Sequence, residues 1–411
     1  MLYKEITECR ICGNKNLETI LDLWVQALTW IFPKPYEELE SWPLALVKCS
    51  WEDCCGLLQL KHNYDLEKLY GDDYGYRSGL NKWMVRHLEG IVEKLKWLKF
   101  LKTWDLVIDI ASNDWVLLKA YWDEWFELLW IDPTAKKFAE YYPSYVEFIP
   151  EFFSAEAIKN KTTKKAKIVT SISMFYDLPQ PMEFVRQVKE ILDDDGIRFL
   201  EQSYMPSMID IVSYDTVCHE HLEYYALKQI QRMIDKVGMK IIDVVLNDVN
   251  GWSFQVFVSK NINVPANQEN INKLLEHEEK GGYSSGEAFI QFKRNIEEHK
   301  KDVLTFFEKA RQENKKILWY GASTKGNVTL QYCWITKEML PYIAEVNDYK
   351  FGRTTPGTKI PIISEKEAHA MNPDYFFVLP WHFRKWILER EKEFLVKWWH
   401  FVFPLPKLEI V

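Results

Sequence analysis

Glycine is scarce in this chain, 16 of 411 residues, against about 7% in ordinary globular domains. A collagen-like or glycine-rich disordered architecture is thereby excluded. Basic charge is also short: 52 Lys and Arg stand against 60 Asp and Glu, a net charge of −8. A nucleic-acid coat or a membrane-surface binder would carry a basic excess, so neither partner is expected. A small anionic substrate held by a few local cations stays compatible with this balance. No apolar run approaches the ~20 residues that span a bilayer. The opening "MLYKEITECR" has no basic segment followed by an apolar stretch, so no signal peptide is read there. The expectation is a cytoplasmic protein whose seven cysteines are thiols or metal ligands, not disulfides.

What stands in excess is tryptophan, 18 residues. Several occupy places where a turn ordinarily wants glycine, in "DLWVQ", "KTWDL", "NDWVL", "DEWFELLWID" and "KWWHF".

The length predicts two or three domains. We place the boundaries near residues 70 and 275, giving segments 1–70, 71–275 and 276–411. The first is short on regular pattern and holds five of the seven cysteines. A helix is expected next, with Met84, Leu88, Ile91, Val92 and Leu95 at helical spacing. Strands are expected at Leu106–Ile110, Leu128–Ile131, Ile168–Ser171 and Ile197–Glu201, the last after a helix ending in "DDDG". Short apolar runs alternating with helices imply a parallel sheet covered on both faces. "KIIDVVLNDVNGWSFQVFVSK" reads as a hairpin turning at Asn-Gly. Residues 284–313 read as one amphipathic helix. A second α/β unit begins at "KILWYGASTKGN".

"CRICG" and "CSWEDCCG" supply Cys9 and Cys12, then Cys49, Cys54 and Cys55. Two thiolate pairs a few dozen residues apart suit tetrahedral zinc. Cys55, followed by glycine like Cys12, is the better fourth ligand, and Cys54 is the spare. Buried free thiols or a redox pair are the plainer alternatives. With four protein ligands and no vacancy the Zn2+ would be structural. At Asp109 a strand ends in an acidic residue before a turn, and the next strand ends at Asp132. In a doubly wound sheet a ligand sits outside such strand ends, and an acid on the second strand can take both ribose hydroxyls.

Taken in order, "CRICGNKNLETILDLWVQAL", "YGYRSG", "VIDIASNDW", "CHEHLEYYA", "YGASTKGN", "TPGTKIPI" and "LPWHF" resemble the sugar C-methyltransferases. That family acts on nucleotide-linked 4-keto-deoxysugars with S-adenosylmethionine, and the resemblance covers essentially the whole chain. It implies a zinc-binding N-terminal module, a class I methyltransferase-type doubly wound sheet with an antiparallel hairpin, and a second Rossmann-like domain. It implies a cofactor site built from Asp109, Ala111, Ser112, Asn113, Asp114, Asp132 and Ser173. The family's two loop glycines are here Ala111 and Trp115. Trp24, Trp104, Trp125, Trp130, Trp398 and Trp399 also stand where relatives tend to have glycine.

The implied reaction removes the proton on a carbon acidified by the neighbouring keto group, and the enolate carbon attacks a sulfonium methyl. It needs a base, a donor to the enolate oxygen, and alignment. His221 is the expected base, with Glu220 setting its tautomer or binding sugar; Tyr76 and Tyr176 are the further catalytic candidates. Cys218 stands where relatives commonly have tyrosine. His219 and Glu201 are expected on the substrate side. "GASTKGN" lacks the Gly-x-x-x-x-Gly-Lys spacing but reads as a phosphate cradle at a helix N-terminus, with Ser323, Lys325 and Asn327. His382 in "LPWHF" is a further pocket candidate. Two other readings stay open on the same residues: a member whose cofactor loop is blocked by Trp115, and a methyltransferase for another small molecule.

Overall fold

The computed structural model describes residues 3–51, 53–65, 69, 77–98, 101–121, 125–143, 146–395 and 399–411. Tyr76 and Trp398 lie outside the described residues.

The N-terminal segment is a β module, more regular than its sequence suggests. β1 (Tyr3–Glu5) pairs with β5 (His62–Tyr64). β2 (Leu17–Ala27), β3 (Ser41–Cys49) and β4 (Leu58–Leu60) form an antiparallel sheet. Register shifts in the β2–β3 ladder blur the alternation that would have announced it.

The middle domain begins with the helix Lys82–Trp97, capped by Asn81, whose side chain accepts from the Trp83 and Met84 amides. Its five expected apolar residues are all buried. β6 (Leu106–Ile110), β7 (Glu127–Ile131), β8 (Glu147–Ile149), β9 (Ala166–Ile172) and β10 (Leu192–Ser203) are parallel. The "DDDG" stretch lies inside β10 at a register shift, not in the preceding helix Pro181–Ile191. β12 (Lys240–Asn247) and β13 (Ser253–Ser259) are the hairpin. The strand order is β12-β13-β10-β9-β6-β7-β8, with β13 antiparallel between β10 and β12. This is the class I methyltransferase sheet. Its order reverses between β6 and β9, where such sheets take ligands.

β11 (Glu223–Tyr224) belongs to the middle segment by sequence, yet it pairs with β4. The expected boundary at 70 therefore separates the chain but not the sheet. The helix Gln268–Lys280, unread in the sequence, precedes the long helix Glu287–Gln312. The C-terminal sheet contains β14 (Ile317–Tyr320), β15 (Ile343–Glu345), β16 (Ile362–Ser364), β17 (Tyr375–Val378), β18 (His400–Phe403) and β19 (Glu409–Ile410). Its order is β16-β15-β14-β17-β18-β19, a second doubly wound sheet with its reversal between β14 and β17. Among the described residues no helix is long and apolar enough to cross a membrane.

Seven tryptophans hold left-handed backbone: Trp24, Trp51, Trp104, Trp115, Trp125, Trp252 and Trp334, with φ from 54° to 94°. Trp130 is not among them; it sits in β7, fully buried. A left-handed non-glycine residue costs about 1–2 kcal/mol. Over seven positions that strain approaches the about 5–15 kcal/mol that keeps a domain folded.

Candidate functional site

Cys9, Cys12, Cys49 and Cys55 converge with their sulfurs all within 4.8 Å of one another. Cys9 and Cys55 are 3.3 Å apart, Cys12 and Cys49 3.6 Å. Four zinc-bound thiolates sit ~3.8 Å apart at 2.3 Å bonds, so the donor set fits tetrahedral Zn2+. The Cys9 carbonyl accepts from the Gly13 amide, closing the knuckle, and Gly13 and Gly56 supply the left-handed turns after each pair. Thiols of Cys49 and Cys55 and nearby amides hold the Cys9 thiol down to about 4. Cys54 stands aside, its sulfur bonded to the Cys49 carbonyl.

Between these ligands Arg10 is fully buried. Its guanidinium donates to Asn63 Oδ1, Leu60 O and His62 O and lies 3.4 Å from the Glu223 carboxylate. Both side chains of this ion pair are at most 2% exposed. The metal module is thus clamped to the strand that follows "CHEH". His219 belongs to the same clamp. It is wholly buried, its Nε2 is 3.2 Å from the Trp42 carbonyl, and its ring stands edge-on to Tyr64. His219, expected on the substrate side, is thus placed against Trp42 and Tyr64 of the N-terminal module.

At the switch point, Asp109 and Asp132 stand buried at the carboxyl ends of β6 and β7. Burial raises Asp109 to about 7, against hydrogen bonds from Ser112 and Thr170. Asp132 accepts from the Asn113 and Thr134 amides and the Thr134 hydroxyl; desolvation pushes its carboxyl up. The side chains of Asn113 and Asp114 turn toward the preceding linker: Asn113 Oδ1 accepts from the Ser78 amide, and Asp114 accepts from the Gly79 amide and pairs with Arg77. These two residues tie the turn to the preceding linker. Ala111, Asn113, Trp115 and Ser173 all have positive φ. The Trp115 indole is buried edge-on to Tyr142, whose hydroxyl bonds Ser112 and the Asn113 carbonyl.

His221 lines a cavity with Tyr176, Ser203, Met205, Thr216 and Tyr224. Its Nδ1 lies 2.9 Å from the Thr216 carbonyl and donates to it, leaving Nε2 as the basic nitrogen. Burial, then the Lys325 ammonium, hold the imidazole down to about 3, so it is neutral. Tyr176 stands edge-on at 4.4 Å. Burial lifts Glu220 to about 7, and the Cys218 thiol lies 3.7 Å from its Oε2.

The C-terminal loop divides its expected roles. Lys325 donates to the Asn250 carbonyl at the hairpin tip and feels Asp215 and Cys218, so it reaches the His221 cleft. Burial and the same lysine hold His382 down to about 3. Ser323 caps its own helix through the Gly326 amide. Asn327 is buried, and its Nδ2 donates to the Thr29 carbonyl of the N-terminal module. One loop amide, that of Ala322, is taken by Glu345, which also accepts from the Val346 and Asn347 amides after its own strand.

The Glu201 carboxylate is engaged by His87 Nε2 at 2.7 Å, Asn247 Nδ2 at 2.9 Å and Gln255 Nε2 at 2.6 Å. His87 itself went unread in the sequence, because a histidine inside an amphipathic helix carries no signal of its distant partner. Arg10 was hidden for a like reason, between two metal ligands. Asp215, which accepts from the Trp381 indole, joins the cleft from a loop with no motif.

Residues 9–70 match a domain family described as zinc binding, and residues 248–406 match the C-methyltransferase C-terminal domain. The chain is 25% identical to C-methyltransferase NovU of Streptomyces niveus over 415 aligned residues, covering 100% of this chain and 98% of that one. Among solved structures, the plantazolicin methyltransferase BamL, in complex with a triazolic desmethyl analog and SAH, aligns at TM-score 0.36 and 13% identity, over 44% of this chain and 87% of its own. An S-adenosylmethionine-dependent methyltransferase from Clostridium acetobutylicum aligns at 0.34 and 11%, over 42% and 90%. Scores this low carry no weight beside the strand order itself.

Proposed function

We infer that this chain, an S-adenosylmethionine-dependent C-methyltransferase by its zinc-binding and C-terminal domains and its full-length likeness to NovU, methylates the carbon beside the keto group of a nucleotide-linked deoxysugar. The observation that carries the reading is His221. It is neutral, its tautomer is fixed by the Thr216 carbonyl, and its free nitrogen belongs to a cleft that Tyr176 and Lys325 also reach.

S-adenosylmethionine supplies an electrophilic methyl group when bound. The strand-end acids Asp109 and Asp132 and the turn between Ala111 and Trp115 would hold it; Asp132 keeps lone pairs for ribose hydroxyls beyond those used by Asn113 and Thr134. His221 Nε2 takes the proton from the carbon next to the keto group. Tyr176 donates to the enolate oxygen, a role supported by its ring lying 4.4 Å from that of His221, and Glu220, lifted to about 7 by burial, donates or accepts beside it. Lys325 presents the cationic side that an anionic diphosphate needs, with a neutral His382 beside it.

Incubation with methyl-labelled S-adenosylmethionine and a 4-keto nucleotide sugar tests this: label is expected on the carbon next to the keto group. Absence of label in the sugar, with cofactor binding demonstrated, would refute it. A cofactor-blocked relative is a second reading, favoured by the left-handed Ala111 and the buried indole of Trp115. Calorimetric titration with S-adenosylhomocysteine separates the two, since tight binding rules out a blocked loop.

A further inference from the structure

Among the described residues, sixteen non-glycine residues have positive φ, and seven of them are tryptophan. The others include asparagines and aspartate, whose short polar side chains tolerate that region. An indole has no such excuse. Trp115 is buried, but burial does not explain the other six. Trp51 is 77% exposed, Trp125 72%, Trp334 62% and Trp104 59%, so a large apolar ring is held in strained backbone and left in water. Trp24 and Trp334 stack on each other under Lys300, but this pairing joins two of the same strained positions. Three tryptophans with ordinary backbone, Trp42, Trp319 and Trp381, are buried, and their indole N–H groups find Glu40, Gly321 O and Asp215, whereas Trp83, Trp97 and Trp386 are exposed on helices without any backbone strain.

Trp130 shows crowding in place of a left-handed backbone. Its ring lies 3.4 Å centroid to centroid from Tyr142, and its buried N–H has no partner; aromatic pairs prefer about 4.5–7 Å. The chain meanwhile has only 16 glycines.

We propose that the protein made by its own cell carries glycine at Trp24, Trp51, Trp104, Trp115, Trp125, Trp252 and Trp334, through a codon that this sequence renders as tryptophan. Seven separate mutations, each to the bulkiest residue and each at a left-handed position, have no common physical cause. A single decoding rule does. UGA lies one base from tryptophan's UGG and one base from glycine's GGA, and genetic codes differ in how they read it. A cell reading UGA as glycine produces this exchange at every such codon and leaves true UGG tryptophans in place. Trp130 joins the seven on its crowding. With glycine at 115 the cofactor turn regains its φ at no steric cost, so the inference also removes the ground for a blocked loop. It does not rest on the proposed substrate, because left-handed backbone is independent of the reaction.

Peptide mass spectrometry of the protein isolated from its natural host tests this directly. Peptides spanning the seven positions are expected to carry glycine, while those spanning Trp42, Trp319 and Trp381 carry tryptophan. Tryptophan in the first group overturns the proposal. The gene gives a second reading: UGA is expected at the seven and UGG at the three, and UGG throughout overturns it. A recombinant pair closes the test, one with the sequence as it stands and one with all seven changed to glycine. The glycine chain is expected to melt higher; an equal or lower melting temperature counts against the proposal, whatever the fate of methyl transfer.

Discussion

At the scale of single residues, the chemistry rests on how burial sets proton positions. His221 is held down to about 3, so it is neutral through the ordinary pH range, with Nε2 open to accept a proton but less basic than an exposed imidazole. His221→Asn keeps the Thr216 contact within reach but removes the basic nitrogen. Turnover is expected to fall by about 10²–10⁴-fold with cofactor affinity unchanged, measured by labelled-methyl transfer and calorimetry. Glu220 is the opposite case. Its folded value of about 7 lies above the roughly 4.3 of an exposed glutamate. Below that lower value folded and unfolded states are both protonated and no penalty arises. As pH rises through about 7 the native state must ionise a buried carboxyl, so the stability it contributed is lost. Glu220→Gln should therefore gain stability over the parent chain as pH climbs from 5 to 8, in paired urea melts. A constant difference across that window would show that Glu220 does not titrate there. The histidine pair in "CHEH" shows how far residue types alone can be read. The sequence places both near the chemistry, and only tertiary packing separates His221 in the cleft from His219 inside the metal module.

At the scale of elements, the cofactor turn and the β4–β11 clamp decide whether the site exists. Trp115 begins the short helix Val116–Lys119 with φ 72°, and its indole packs on the tyrosine that bonds the loop backbone. Trp115→Gly relieves both strain and crowding, so S-adenosylhomocysteine should bind more tightly, by about tenfold for each ~1.4 kcal/mol relieved. Unchanged affinity in calorimetry would sink the steric account. Across the clamp, Arg10→Met leaves Glu223 buried and unpaired. Removing one member of such a pair costs about 3–5 kcal/mol, whereas Arg10→Met with Glu223→Met should cost clearly less than the two single changes added; a denaturant double-mutant cycle reads the difference. The parallel strands, the hairpin and the long helix were legible because their apolar periodicity is local. The N-terminal sheet was not, since its ladder is interrupted by bulges. Nor was β11, a two-residue strand whose only reason to exist is a partner some 160 residues away in sequence.

At the scale of the whole molecule, three segments contribute to the proposed site. The crevice proposed for the cofactor lies at the switch point of the middle sheet, beside Asp109 and Asp132. The segment proposed to be catalytic is held by β4 pairing, the Arg10–Glu223 ion pair and His219 between Trp42 and Tyr64. The third domain contributes Lys325, which crosses to the hairpin tip at Asn250. This division predicts a specific response to zinc removal. A metal fixed by four cysteines supplies folding energy to its module outright, so a strong chelator should release Zn2+ and loosen the module. The middle sheet keeps its own core, and S-adenosylhomocysteine affinity should survive. His221 loses the scaffold that fixes the strand after it, so turnover should fall in step with zinc release followed by a colorimetric metal indicator. Loss of cofactor binding at the same rate would mean that the domains unfold as one unit. Full turnover after complete zinc release would mean that the module does not position the catalytic segment at all.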